Sequence, residues 1–247
     1  MATYTNTTQQ HARRFNISRE NGVTDKNGRP HFFEWVKELP ANQTNRKFET
    51  RRKQDGSAAH YELFTAVGGY LKGVRKEWKA IAGANERWLY IDLHDADGDY
   101  IIEVGRIDSR YAMDVMKRLL DPAFRITEPI RLSPFDFLNK DGGRQIGVSV
   151  MNGTDTKLSA GKENPELIGI PQAEKTEFKG KTMWNFEPVA DWLFDKVDQL
   201  ASGAIPKEAT RPASNVLLSA IPNDNTDPWA GISASDPGPG DIDELPF

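Results

Sequence analysis

The chain contains no cysteine, which excludes disulfide bonds and thiolate metal sites. Its four histidines (His11, His31, His60 and His94) are scattered, so no His-rich metal site is expected. No apolar run approaches the length of a membrane span, and the first ten residues lack the features of a signal peptide. These absences predict a cytoplasmic protein with no metal or other cofactor and no membrane partner.

The sequence also lacks recognisable catalytic patterns. No Gly-x-Ser-x-Gly motif is present, and Gly161-Lys162 lacks the upstream glycine and following Ser/Thr of a phosphate-binding loop. Asp95-x-Asp97-Gly98-Asp99 lacks the later glutamate of a calcium loop, so a hairpin turn is the better interpretation. The chain is therefore predicted not to be an enzyme.

Charge is divided unevenly along the chain. The formal net charge is −4, but residues 1–90 carry +7, residues 91–200 carry −6 and residues 201–247 carry −5. A basic first third and an acidic end suit a protein that binds a polyanion and whose own tail competes for the same groove. Chance clustering of charge is the alternative.

Hydrophobic periodicity predicts one organised region between residues 58 and 153. The predicted elements are strand Ala59–Val67 continuing past Gly68-Gly69 into Tyr70–Val74, strands Arg87–His94 and Tyr100–Ile107, a helix from Asp108 to about Leu120, and strands Ile130–Leu132 and Gln145–Met151. This order predicts a mainly β protein, namely a five-stranded oligonucleotide-binding (OB) barrel with its helix between strands 3 and 4. Other small α+β folds share the order.

The rest of the chain divides around this barrel. Residues 154–181 predict a long loop or hairpin, and a second helix with Pro188 in its first turn runs to about Leu200. The predicted organisation is a basic, partly disordered N-terminal extension (residues 1–57), the barrel with its C-terminal helix (58–201), and a disordered linker with an acidic tip (202–247).

Trp88 and Tyr90 are the most informative residues of the predicted barrel. They alternate with Leu89, Ile91 and Leu93, so both rings point away from the core face. Single-stranded nucleic acid stacks its bases on such rings, although a second core layer could equally cover them. The candidate phosphate and base contacts are Arg51, Arg52, Lys53, Tyr61, Phe64, Lys72, Arg75, Lys76 and Trp78, with Lys79 beside them. Trp35 is predicted to be a core residue, with a stacking platform as the alternative.

The C-terminal residues carry a family resemblance. Asp241, Ile242, Asp243 and Glu244 precede Leu245-Pro246-Phe247, and Asp227-Pro228-Trp229-Ala230 lies upstream. This end resembles the acidic tip of bacterial single-stranded DNA-binding proteins. The resemblance implies that Asp241, Asp243, Glu244, Leu245, Pro246 and Phe247 bind replication and repair proteins through an apolar slot and basic residues on the partner.

The resemblance is confined to about a tenth of the chain. The long N-terminal segment and the region after the fifth strand are more typical of a bacteriophage version, and favour a monomer or dimer over the family's homotetramer. The resulting prediction is a sequence-nonspecific single-stranded DNA-binding protein whose affinity increases when residues 224–247 are deleted. The alternatives are a protein-interaction adaptor, an RNA-binding OB protein, and a nuclease or recombination enzyme that has acquired the tip.

Overall fold

The computed structural model describes residues 13–17, 29–44, 46–53, 55–81, 83–140, 142–161, 164–178 and 181–203. The described chain is mainly β, as predicted, with two α-helices. The strands are β1 (Arg13–Ile17), β2 (Phe32–Val36), β3 (Lys47–Arg52), β4 (Ala58–Phe64), β5 (Val67–Ile81), β6 (Ala84–Asp95), β7 (Gly98–Arg106), β8 (Ile130–Leu138), β9 (Arg144–Asn152), β10 (Thr156–Lys157), β11 (Glu174–Phe178) and β12 (Lys181–Asn185). The helices are α1 (Arg110–Leu119) and α2 (Glu187–Gly203).

Ten strands form one sheet in the order β10-β9-β8-β5-β6-β7-β1-β2-β4-β3. The prediction of a single first strand from Ala59 to Val74 is wrong. β4 ends at Phe64 and pairs with β2 and β3, whereas β5 begins at Val67 and pairs with β6 and β8. The apolar run that spans both strands contains no turn signal of its own, so the sequence pattern merges them.

Two glycines lie where the long strand β5 changes partner. Its first residues pair with β8, and from Tyr70 onward it pairs with β6. A Cβ on Gly68 would lie 2.6 Å from the carbonyl oxygen of Ile130, and one on Gly69 would lie 2.8 Å from that of His94. Both neighbours are backbone atoms that cannot move aside, so only glycine allows the three strands to come this close.

The predicted hairpin of β6 and β7 is present, and its turn is built by Asp95. The Asp95 carboxylate accepts a hydrogen bond from the backbone N–H of Asp97 at 2.8 Å, and Gly98 has a φ of +125°. The helix that follows begins one residue later than predicted. Its N-cap is Ser109, whose hydroxyl accepts from the N–H of Ala112 at 3.2 Å, while Asp108 pairs with Arg106.

Helix α1 packs against β9 and β7. The Asp114 carboxylate accepts a hydrogen bond from the N–H of Val148 on β9 at 2.7 Å, and it also pairs with Arg118 at 3.0 Å. A Cβ on Gly147 would lie 2.4 Å from an Asp114 oxygen. In the described part of the chain no ladder joins β7 to β9, so the sheet is open here and a closed five-stranded barrel stays a prediction.

The first three strands belong to the same sheet as the rest. β1 pairs in parallel with β7, and β2 and β3 both pair with β4. The predicted domain boundary after residue 57 therefore falls between two strands, β3 and β4, that are hydrogen-bonded to each other. The N-terminal strands continue the sheet outward from β7.

One hydrophobic core lies between one side of the sheet and the two helices. Its largest fully buried members are Phe15, Phe32, Leu89, Ile91, Leu93, Ile102, Ile107, Met116, Leu119, Ile130, Leu132 and Leu158. α2 begins one residue before Pro188, close to the prediction, and buries Val189, Leu193 and Val197 against this core. The predicted loop of residues 154–181 includes one arm of the β11–β12 hairpin.

Candidate nucleic-acid interface

The strand register defines a continuous surface on the side of the sheet opposite the core. One residue from each of seven strands lies in a single row, which runs Arg75, Tyr90, Glu103, Asn16, Phe33, Leu63 and Lys47. Trp88 precedes Tyr90 by two residues, and Trp35 and Tyr61 are similarly spaced from their row members, so all three share this side. We call this surface the front face and the opposite surface the core face.

Two rings of the front face lie on β6. Trp88 is 6% exposed and Tyr90 is 5% exposed. The Lys79 ammonium lies 4.1 Å from the Trp88 ring centroid, and the Arg75 guanidinium lies 5.5 Å from that of Tyr90. These cations occupy the position that a stacked base would take, so the two rings are covered rather than open.

The cations over the β6 rings are each held by carboxylates. Lys79 pairs with the buried Glu103 at 2.5 Å. Arg75 pairs with Asp92 through two hydrogen bonds of 2.5 and 2.9 Å, and it also contacts Glu77. Charge on this part of the front face is therefore largely neutralised within the protein.

Lys72, at the far end of β5, pairs with Asp99 at 2.6 Å, and His94 contacts the other oxygen of the same carboxylate at 2.6 Å. The hydrogen bond from Lys72 lowers the pKa of the Asp99 carboxyl, so this carboxylate remains charged at neutral pH. Burial raises the pKa of the Tyr90 phenol, and Glu103 and Glu77 raise it further. Tyr90 is therefore neutral at physiological pH.

A second group of rings lies on β2 and β4. Trp35 is 56% exposed, so the prediction of a core position is wrong. It pairs across the strands with Tyr61, whose ring meets that of Phe33 edge-to-face at a centroid distance of 5.4 Å. Alternation explains the error, because Phe32 occupies the core face and leaves its neighbours at 33 and 35 on the front face.

Cations lie near this second group, and among the described residues several of them have no carboxylate within ion-pair distance. Lys47 lies on the front face of β3, and Arg14 lies on the front face of β1 between the two groups of rings. Among the described residues, neither has a carboxylate within ion-pair distance, and the same is true of Arg52 and Lys53. Arg51 is half-buried and shares the front face with Lys47.

Of the predicted contact residues, the structure brings Arg51, Tyr61, Lys72, Arg75, Trp88 and Tyr90 onto the front face. Phe64 is in the core, 4% exposed. Lys76 and Trp78 alternate onto the core face, where Lys76 pairs with Asp191 of α2 at 2.9 Å. Arg52 also alternates to the core face, and Lys53 follows the end of β3 in the turn to β4.

Sequence reasoning missed Phe33, Lys47 and Arg14 as members of this surface, and it offers a platform for Trp35 only as the alternative to a core position. The signal that could have found them is the two-residue period of β1, β2 and β3. The tip residues Asp241, Asp243, Glu244, Leu245, Pro246 and Phe247 lie outside the described residues.

Two further features are absent from the described ranges. No cluster of three or more His, Asp or Glu side chains there could hold a metal ion. No helix in that part of the chain is long and apolar enough to cross a membrane. Comparison of the chain with family models, curated proteins and solved structures gives no match.

Proposed function

We propose that this chain is a sequence-nonspecific single-stranded DNA-binding protein, which coats the strand during replication, recombination and repair. The observation that carries the proposal is the front face, where Trp88 and Tyr90 lie directly beneath Lys79 and Arg75. Non-specific binding of a single strand needs rings for bases and cations for phosphates, side by side along one groove.

The proposal includes an OB fold for residues 67–152. The strands β9-β8-β5-β6-β7 are adjacent in this order. That is the order of an OB barrel opened between its third and fifth strands, with α1 packed at the opening. In such a barrel the second and third strands, here β6 and β7, form the ligand-binding face.

Binding proceeds by exchange of anions. A phosphate replaces the Glu103 carboxylate at Lys79 and the Asp92 carboxylate at Arg75, and the cation moves from the ring as it follows the phosphate. The uncovered ring then stacks a base, which is worth ~1–3 kcal/mol per base. Affinity should decrease steeply with salt, because each phosphate contact releases counterions from the strand.

The acidic tip recruits partner enzymes in this proposal. Asp241, Asp243 and Glu244 supply charge, and Phe247 supplies the apolar anchor and a terminal carboxylate. When no strand is bound, the acidic tail competes for the cations of the front face. Deleting residues 224–247 is therefore expected to tighten DNA binding, and unchanged or weaker binding contradicts the competition.

The test is a titration of intrinsic tryptophan fluorescence with oligo-dT, beside a duplex of equal length, at low and high salt. Quenching by the single strand alone, lost at high salt, supports the proposal. Lys79→Gln should weaken binding, whereas Lys76→Gln, three residues away on the core face, should not. Each variant's melting temperature shows whether the fold is kept. Absence of any response to oligo-dT contradicts the proposal.

A protein-interaction adaptor is the second candidate. The pairing of Lys72, Arg75 and Lys79 with carboxylates favours it, because these cations already have partners. Fluorescence that no oligonucleotide changes would support this candidate. A role in RNA binding differs from the main proposal only in the sugar, so the same titration with oligo-U distinguishes the two.

A further inference from the structure

We propose that Trp35 and Tyr61, with Phe33 beside them, form a second base-stacking platform on the N-terminal strands, so that the bound strand leaves the barrel and continues across β1. This inference rests on the proposed function and deepens it, because it assigns a binding role to strands outside the OB core. It also predicts the path of the nucleic acid across the sheet, from β6 over β7 and β1 to β2.

This platform is exposed to solvent, whereas the β6 rings are covered by cations. Trp35 is 56% exposed, and the edge-to-face contact of Tyr61 with Phe33 holds the neighbouring rings in place. A tryptophan face exposed to this degree, beside two partly exposed rings, is costly in water unless a ligand covers it. Planar bases fit such a surface because every base has an aromatic face.

The platform is continuous with the barrel's ring pair. Tyr90 and Phe33 lie in the same cross-strand row, separated by β7 and β1. Three strand spacings of ~4.8 Å place them roughly 14 Å apart. The exposed Arg14, on the front face of β1, lies between the two groups, where it can contact the backbone of a strand that joins them.

Charge favours an anionic occupant of this platform. Residues 46–53 contain five basic residues and one acidic residue, Glu49, which lies on the front face opposite Tyr61. Of these, Arg46 is neutralised by Glu62 of β4. Lys47 borders the rings on the front face and has no carboxylate within ion-pair distance among the described residues. A protein partner would need an acidic surface, whereas a single strand supplies phosphates and bases together.

The experiment measures affinity for oligo-dT of about 24 nucleotides and the site size on poly-dT for four full-length proteins: wild type, Trp35→Ala, Trp35→Phe and Trp78→Ala. Trp78 is the matched control, since it is 71% exposed but lies on the core face. We expect Trp35→Ala to weaken binding roughly 5- to 150-fold and to shorten the site. Trp35→Phe should restore most of the affinity, and Trp78→Ala should remain within about twofold of wild type.

The outcomes separate this inference from the proposed function. If wild type binds and Trp35→Ala binds equally well with an unchanged site size, the second platform is wrong and the barrel face alone carries binding. If wild type does not bind oligo-dT at any salt concentration, both proposals are wrong. Melting temperatures of the variants show whether a loss of binding reflects unfolding.

Discussion

The two groups of rings on the front face differ in their exposure to solvent. On β6, Trp88 and Tyr90 are covered by cations, and those cations are held by carboxylates. On β2 and β4, Trp35 is 56% exposed, and the nearby Lys47 has no carboxylate within ion-pair distance among the described residues. The same residue types therefore form a covered arrangement on β6 and an exposed one on the N-terminal strands.

The difference follows from neighbours rather than from the rings themselves. β6 lies near the middle of the sheet, between two strands whose front-face residues include Glu77 and Glu103. β3 is the edge strand and provides mainly basic side chains. A strand of nucleic acid would meet the open platform without displacing any intramolecular pair, so initial contact is expected there, before exchange of anions over the β6 rings.

The two groups of rings are expected to differ most in how much they contribute to the free energy of unfolding. Trp88→Ala removes a ring that is 94% buried and should reduce the free energy of unfolding by ~3–5 kcal/mol. Trp35→Ala removes a ring that is 56% exposed and should reduce it by only ~1–2 kcal/mol. Urea denaturation of both variants measures this difference. Equal losses would show that the two rings are packed alike, which would contradict the distinction between a covered and an exposed group.

The next effect is in salt dependence. Lys47→Gln removes one front-face cation and should reduce the slope of log affinity against log salt by about 0.7, the value for one phosphate of a single strand. Arg52→Gln removes an equally exposed charge from the opposite face of the same strand and should leave the slope unchanged. Equal changes in the two variants would indicate that only net charge matters and that the front face has no special role.

The sequence predicted strands β6 and β7 and helix α1 better than the strands before them. Alternation in β6, the hairpin at Asp95 and the placement of α1 are local patterns, and each depends on residues close together in the chain. The course of β4 could not be predicted, because its separation from β5 depends on pairing with β2 and β3. Such pairing is a long-range choice that no local period reveals.

The candidate site was predicted in its residue types but not in its environment. The rings Trp88 and Tyr90 are on the face that alternation indicates. Their cover could not be foreseen, because Lys79 and Glu103 are distant in sequence and meet only in the folded sheet. The exposure of Trp35 required knowing that its strand borders the front face and not a second core layer.

The smallest predicted effect concerns the covered rings of β6, and it is an increase in affinity. Glu103→Gln should free Lys79 for phosphate and increase affinity for oligo-dT about two- to threefold, ~0.4–0.7 kcal/mol, as expected for a partly exposed ion pair. Asp191→Asn changes the net charge equally but frees Lys76 and Arg87 on the core face, so it controls for net charge. Both variants are measured at one salt concentration. Equal affinity gains would mean that Glu103 does not compete with the nucleic acid and that the covered rings of β6 take no part in binding.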